Sequence, residues 1–262
     1  MYSTLIYEVK NGVAHIMLNR PDAANGINLE LAQDLDQAAI KCDEDPAVRA
    51  VLIWGAGKLF CAGGDLKSFA PKSESELPRY LEDVTTNLHR AISRFARMSA
   101  PVMAAVHGSA AGAGFSLACA CDLVIAAESA KFTMAYTRAG LTPDGSATYY
   151  LPRIVGSRRA LELALLNPVL SAKEAHALGI VTRVVPDAEL MAQATALAEQ
   201  LASGPTRAYR GVKRLLLDSA TSTLEEQMAR ETETICATAW SRDAREGIAA
   251  FVGKRAPKFS GE

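Results

Sequence analysis

Two glycine-rich segments, residues 60–65 (FCAGGD) and 108–114 (GSAAGAG), are the parts of this sequence best suited to chemistry. Each follows a predicted strand and leads into a predicted helix, so its first amide groups lack partners at the positive end of the helix dipole. Because glycine lets a ligand approach the backbone closely, these amides could hold a negative charge. Close helix packing is the alternative, since Gly108 and Gly112 also fit GxxxG. Neither segment completes a dinucleotide-binding or phosphate-loop motif.

Asp144, within Thr142-Pro-Asp-Gly145, is the second candidate for chemistry. A carboxylate in a site can move protons as a general acid or base. Pro-Asp-Gly is also a common turn, and an aspartate just before a helix often caps it, so a structural role is an open alternative. The histidines have no partners at metal-ligand spacing, and we predict no metal site.

Strands alternate with helices in the first part of the chain, which predicts an α/β fold. Asn11-Gly12, between two alternating apolar runs, predicts a hairpin of strands at 5–9 and 13–18. Apolar runs and helical spacing predict further strands at 50–54, 101–106, 123–126, 131–134 and 180–185, and helices after Asn28, at 81–98 and at 112–121.

After Pro143 the sequence becomes mainly helical. Capping boxes are predicted for two of these helices, at Ser171 with Glu174 and at Ser222 with Glu225. Pro205 suits the first turn of a helix, and we predict three helices from there to the end. A weak boundary near 203–204 separates a predicted core, residues 1–203, from a C-terminal helical region, residues 204–262.

Composition and charge limit the classes of function. The chain has 262 residues, a formal net charge of −1 and 49% hydrophobic residues, which fit a globular protein without a nucleic-acid or membrane partner. The apolar run 101–121 is mostly Ala and Gly, which favours a buried strand and helix over a membrane span. Five cysteines without a disulfide pattern, and no apolar leader, fit a reducing compartment. We therefore expect a soluble, cytoplasmic protein.

Six segments of the chain together resemble the crotonase (enoyl-CoA hydratase/isomerase) superfamily. Its two signature regions are similar to GAGKLFCAGGDLKSF at 55–69 and PVMAAVHGSAAGAGFSLACACDLVIAAESAKF at 101–132. Matching segments lie at 18–28, 140–156, 170–185 and 246–259, in family order and at family spacing. The resemblance implies an α/β spiral of repeated ββα units. It also implies C-terminal helices through which the chain forms a homotrimer or a dimer of trimers.

The same resemblance implies where an acyl-CoA thioester binds. The amides of Gly64 and Ala113 would donate to the thioester oxygen, where an enolate carries its negative charge. Contacts to coenzyme A are implied for Gly26, Ala62, Gly64, Asp65, Leu66 and Ala113, and for Phe251 and Lys254 toward a neighbouring subunit's nucleotide. Met134, Tyr149, Tyr150 and residues 69–84 are candidates for shaping the acyl pocket. Coenzyme A is part of the substrate, and no further cofactor is expected.

The family resemblance does not by itself define the reaction, because hydratases of this family use two glutamates and the matching positions here are Ser116 and Tyr136. Segment 140–156 resembles the isomerase branch that includes the ring-opening isomerases of phenylacetate breakdown, in which the Asp of the Pro-Asp pair is the base. Asp144 would then move a proton from C2 to C4 and convert a 3-enoyl-CoA into a 2-enoyl-CoA. We favour this isomerase over the hydratase alternative.

A third interpretation is an aryl-CoA dehalogenase-like hydrolase. His89, Tyr136 and Asp144 match the His, Trp and nucleophilic Asp of that branch. Tyr136 in place of the Trp, and Gly64 in place of a bulkier residue, argue against it. A CoA-thioester binder without catalytic activity is the remaining alternative.

Overall fold

Parallel strands form the centre of the protein in a computed structural model, which describes residues 2–262. The strands are β1 (Leu5–Lys10), β2 (Val13–Leu18), β3 (Ala50–Gly55), β4 (Val102–Val106), β5 (Ser109–Ala111), β6 (Leu123–Ala127), β7 (Lys131–Thr133), β8 (Leu170–Ser171) and β9 (Arg183–Val185). They form a larger sheet in the order β1-β2-β3-β4-β6-β9 and a smaller one in the order β5-β7-β8.

Helices cover these sheets and make up most of the second half of the chain. They are α1 (Leu29–Glu44), α2 (Leu66–Phe69), α3 (Glu76–Arg97), α4 (Ala113–Ala120), α5 (Ala147–Val155), α6 (Ser157–Leu166), α7 (Ala172–Ala177), α8 (Leu190–Ala202), α9 (Thr206–Ser219), α10 (Leu224–Ala239) and α11 (Arg242–Val252). Short 3-10 helices span Pro21–Ala23, Tyr136–Ala139 and Asp187–Glu189. The predicted α/β fold is confirmed, and so are three helices after Pro205.

The turn chemistry of the first hairpin follows from its sequence. Asn11 and Gly12 have φ angles of 51° and 77°, which suit the tight turn that joins the antiparallel pair β1 and β2. All other pairings within the larger sheet are parallel. Its central strands β3 and β4 are buried and apolar, as expected for parallel strands covered on both faces.

The two glycine-rich segments come together because of this parallel sheet. β3 and β4 are hydrogen-bonded neighbours, and one glycine-rich segment follows each of them. Parallel strands have their carboxyl ends at the same edge of a sheet, which is where ligands bind in open α/β folds. The fold therefore places residues 60–65 beside residues 108–114.

Several boundaries differ from the sequence prediction. The capping box predicted at Ser222 and Glu225 is wrong by one residue, because Thr223 and Glu226 form it. The strand predicted at 180–185 is only Arg183–Val185, since the amide of Ile180 bonds back to the end of α7. Strands β5 and β8 were not predicted, because two or three residues are too short to show a period.

One largely buried lysine side chain ties the C-terminal helices to the sheet. Lys213 of α9 donates to the backbone oxygens of Phe95 and Ala100, both at 2.9 Å, and lies 2.7 Å from Asp122 Oδ2. Its side chain is 9% exposed. Asp122 also accepts the amide hydrogen of Val102, so the ion pair fixes α9 to the start of β4. Within residues 2–262, no helix has the length and apolar character needed to cross a membrane.

Candidate active site

The two glycine-rich segments are joined by strand-like hydrogen bonds. The amide of Cys61 donates to Ser109 O at 3.1 Å, and the amide of Ala111 donates to Cys61 O at 2.9 Å. Gly63 has a φ of +106°, and a Cβ atom there would lie 3.0 Å from Ala111 O. A side chain at position 63 would therefore be strained and would push the two segments apart.

Two backbone amides are free where these segments meet. Ala113 is the first residue of α4, so its N–H has no partner inside the helix. Neither the Gly64 amide nor the Ala113 amide has an acceptor among residues 2–262. A Cβ atom at Gly63 would lie 3.4 Å from Ala113 N, so the turns touch. The structure thus brings together the two amides predicted to bind the thioester oxygen, while their catalytic role stays a prediction.

Both amides border a mainly apolar cavity of about 290 Å³. One wall comes from α3, which contributes Leu81, Val84 and Leu88, and Asp144 and Tyr136 lie on another side. Asp144 is the only carboxylate among the described residues that line the cavity. A protein cavity of about 150 Å³ can hold benzene. This cavity has roughly twice that volume, so it has room for an acyl group larger than benzene. Met134, Tyr149 and Tyr150 do not line it.

Asp144 is held by a chain of hydrogen bonds. The Tyr136 hydroxyl donates to Asp144 Oδ1 and lies 3.2 Å from the Asp144 backbone oxygen. The Ser116 hydroxyl lies 2.8 Å from the same phenol oxygen and 3.2 Å from Gly112 O. Burial, and after it the neighbouring Asp144, raise the pKa of Tyr136 well above its usual value. Tyr136 therefore keeps its proton at neutral pH and is a hydrogen-bond donor to the carboxylate, not a base.

His89 of α3 contacts the loop that carries Asp144. Its Nε2 atom accepts the amide hydrogen of Gly145 at 3.1 Å. The same atom is 4.0 Å from Asp144 Oδ2, which is too far for a hydrogen bond. A ring nitrogen that accepts a hydrogen bond carries no hydrogen of its own. His89 therefore meets this loop through the Gly145 amide, and its Nε2 atom makes no hydrogen bond to Asp144.

Five of the residues expected to contact coenzyme A form one surface beside the cavity. The amide of Ile27 donates to Gly63 O at 2.7 Å, and the amide of Asp65 donates to Ile27 O at 3.0 Å, which aligns residues 24–27 with 62–66. The Arg20 guanidinium binds the Gly26 carbonyl and lies 2.8 Å from Asp65 Oδ2. Gly26, Ala62, Gly64, Asp65 and Leu66 are thus neighbours.

Arg20 is a residue that the sequence interpretation missed. Its position in LNRPDAANGIN, one of the segments that carry the family resemblance, was the available signal. Phe251 and Lys254 do not line the cavity of this chain. Phe251 is 88% exposed, so its contact with a neighbouring subunit stays a prediction. No group of three or more potential metal ligands occurs in the described part of the chain.

The fold and the site define an acyl-CoA enzyme with the crotonase fold, and the chain belongs to the enoyl-CoA hydratase/isomerase family. Residues 8–262 match the profile of that family. The chain is similar to 1,2-epoxyphenylacetyl-CoA isomerase of Escherichia coli (strain K12), with 38% identity over 262 residues that cover 100% of both chains. The predicted family, its phenylacetate branch and the crotonase-like fold are therefore confirmed.

Two other relatives show how varied the reactions of similar chains are. One is 4-chlorobenzoyl coenzyme A dehalogenase-2 of Arthrobacter sp, 33% identical over 247 residues that cover 94% of this chain and 90% of the other. The other is the crystal structure of an enoyl-CoA hydratase from Polaromonas sp. JS666, with a TM-score of 0.92 and 34% identity over 97% of this chain and 99% of that one.

Proposed function

We propose that this protein is an acyl-CoA isomerase that shifts a double bond from the 3-enoyl to the 2-enoyl position, with Asp144 as the single acid and base. The observation that carries the proposal is the cavity itself. One carboxylate and two free amides, those of Gly64 and Ala113, face an otherwise mainly apolar space.

This set of groups is sufficient for isomerisation. The Asp144 carboxylate takes the proton from C2 of the thioester, and the electron pair of that C–H bond moves into the carbonyl to form a dienolate. The amides of Gly64 and Ala113 stabilise the negative oxygen more strongly in the transition state than in the substrate. The protonated Asp144 then returns the same proton to C4. The double bond now lies between C2 and C3, and no water or cofactor is consumed.

Hydration is less well supported by the same cavity. Adding water to a double bond requires a group that activates water and a group that protonates carbon. Ser116 and Tyr136, at the positions that match the hydratase glutamates, are hydrogen-bonded to each other and to Gly112 and Asp144. Neither supplies a carboxylate, so only Asp144 is left to serve both steps.

The full-length similarity to 1,2-epoxyphenylacetyl-CoA isomerase favours a second candidate, in which the substrate is a ring-epoxide thioester. The chemistry at the thioester would be the same, because an anion next to the carbonyl would again be stabilised by the two amides. A dehalogenase-like hydrolase would require His89 to activate water. This conflicts with a His89 Nε2 that accepts the Gly145 amide hydrogen.

The Asp144→Asn variant tests the proposal with little disturbance of the fold. An asparagine has the size of aspartate, and its amide oxygen can still accept the Tyr136 hydrogen bond. We expect folding to be unchanged and kcat to fall about 10²- to 10⁴-fold, the range for loss of general acid and base catalysis. Each protein is incubated with 3-enoyl-CoA, 2-enoyl-CoA and a ring-epoxide thioester, and the fate of the C2 hydrogen is followed in deuterated water.

The products separate the candidates. Isomer exchange by the wild type, with the C2 hydrogen recovered at C4 even in deuterated water and both lost in Asp144→Asn, is expected for the isomerase. A 3-hydroxyacyl-CoA product formed from 2-enoyl-CoA would instead identify a hydratase. Equal isomerase rates for the wild type and a folded Asp144→Asn variant would refute the role of Asp144. No reaction with any of the thioesters would indicate a CoA-thioester binding protein without catalytic activity.

A further inference from the structure

We infer that His89 is a positioning residue for Asp144, acting through the amide hydrogen of Gly145, a role that rests on the isomerase function proposed above. His89 Nε2 accepts this hydrogen at 3.1 Å. Through this bond, helix α3 holds the loop that carries the catalytic carboxylate.

The loop needs such support because of its backbone conformation. Gly145 and Ser146 have φ angles of +59° and +67°, so two successive residues are in the left-handed region. No side chain caps the start of α5, which follows at once. Gly145 is buried, and His89 Nε2 is the acceptor of its amide hydrogen among the described residues. If the imidazole is removed, a buried donor loses its partner.

The same bond defines the chemical state of the imidazole. Nε2 must offer its lone pair to Gly145, so the hydrogen of the neutral ring is on Nδ1. Nε2 then has no proton to exchange with Asp144 Oδ2, which is 4.0 Å away. His89 therefore acts through the position of the loop and not by proton transfer.

The carboxylate is consequently held from two rigid elements. Tyr136, in the 3-10 helix Tyr136–Ala139, donates to its Oδ1 atom, and His89 of α3 holds the next residue of the chain. The residue before His89 is Leu88, whose side chain lines the acyl cavity. One turn of α3 thus helps to set both the cavity wall and the position of the base, which is the support that a precise site requires.

A matched pair of variants tests this role. In His89→Gln, the amide oxygen is about as far from Cα as Nε2 of histidine and can accept the Gly145 hydrogen, but glutamine cannot serve as a proton carrier. His89→Asn has the same amide on a side chain shorter by one methylene and cannot reach. We expect H89Q to keep kcat within about 3-fold of the wild type. We expect the kcat of H89N to fall about 10- to 100-fold, equivalent to about 1.4–2.7 kcal/mol.

A measurement that does not depend on turnover accompanies the kinetics. In wild-type protein with ¹⁵N-labelled histidine, the NMR signals of His89 should show a protonated Nδ1 and an unprotonated Nε2. Amide hydrogen exchange at Gly145 should be slow in the wild type and H89Q and faster in H89N. Thermal unfolding confirms that both variants are folded.

The outcomes separate the two proposals. If the wild type does not isomerise 3-enoyl-CoA, the isomerase function fails, whatever the NMR signals show. If the wild type is active but H89Q is as impaired as H89N, or neither variant is impaired, the positioning role is refuted. A hydrogen on His89 Nε2 in the active wild type would refute it as well. Activity retained in H89Q alone, with the Nδ1–H form, supports it.

Discussion

Replacing Ala113 with proline would remove one of the two proposed oxyanion donors and put the proline Cδ atom in place of the amide hydrogen. Ala113 is the first residue of α4, where proline is tolerated because the amide hydrogen has no partner in the helix. The preceding Gly112 has φ 49° and ψ −125°, outside the helical region that proline disfavours in its predecessor. The helix should therefore form as before, while the cavity loses an N–H that has no acceptor within residues 2–262.

The expected loss of transition-state stabilisation is large compared with the expected change in the free energy of unfolding. Removing one oxyanion donor costs about 2.7–4 kcal/mol of transition-state stabilisation, or about 10²- to 10³-fold in rate. Ala113→Gly is the matched control, since it keeps the amide and costs the helix at most about 1 kcal/mol. We expect A113G to isomerise 3-enoyl-CoA within about 3-fold of the wild type, which is small beside the expected effect of A113P.

The assay is the rate of appearance of the conjugated 2-enoyl thioester, measured together with thermal unfolding of each variant. A113P should unfold within a few degrees of A113G, because about 1 kcal/mol shifts the midpoint of a protein of this size by roughly 2–4 °C. A folded A113P that isomerises as fast as A113G would refute the proposed role of the Ala113 amide.

Three further predictions concern stability and assembly. Burial raises the pKa of Tyr136, so the unfolded chain loses this proton first, above about pH 10. The free energy of unfolding, measured by urea titration, should therefore fall as the pH rises above that value. The fall should be less steep in Tyr136→Phe. Lys213→Met should destabilise the fold by about 1–3 kcal/mol, because the backbone oxygens of Phe95 and Ala100 lose their donor and the partly exposed Asp122 carboxylate loses its cation, and adding Asp122→Asn should recover part of that loss. Light scattering after size exclusion should give three or six times the chain mass of 27.9 kDa. The Trp240 side chain is 80% exposed, and Trp240→Asp should lower the measured mass of the assembly.

Local signals in the sequence predicted most of the fold. Asn11-Gly12 determines a hairpin by its own backbone preferences, and Asn28 accepts the amide hydrogen of Leu31 as a helix cap should. The capping box at Thr223 was assigned one residue too early, because Ser222 has a similar side chain and Glu225 stands at the same spacing. Strands of two or three residues, such as β8, form through tertiary pairing and leave no periodic signal.

The candidate site was predictable only where a motif carries it. The glycine-rich segments and Asp144 stand in recognisable sequence, and the structure places them around one cavity. The contact between His89 and Gly145 joins residues 56 positions apart. His89 directly follows Leu88 in the predicted helix, but the sequence does not show which loop the imidazole contacts. The acceptor role of His89 therefore required the tertiary structure.

The hydrogen-bond chain at Asp144 also supports the proposed proton transfer over water addition. Tyr136 keeps its proton because its pKa is raised, so it can stabilise the Asp144 carboxylate but cannot activate water. Ser116 is occupied by Tyr136 and Gly112. A single carboxylate can remove a proton and return the same proton, so isomerisation needs no second group. Hydration needs an activated water and a proton donor in one transition state, and only Asp144 is free for either role.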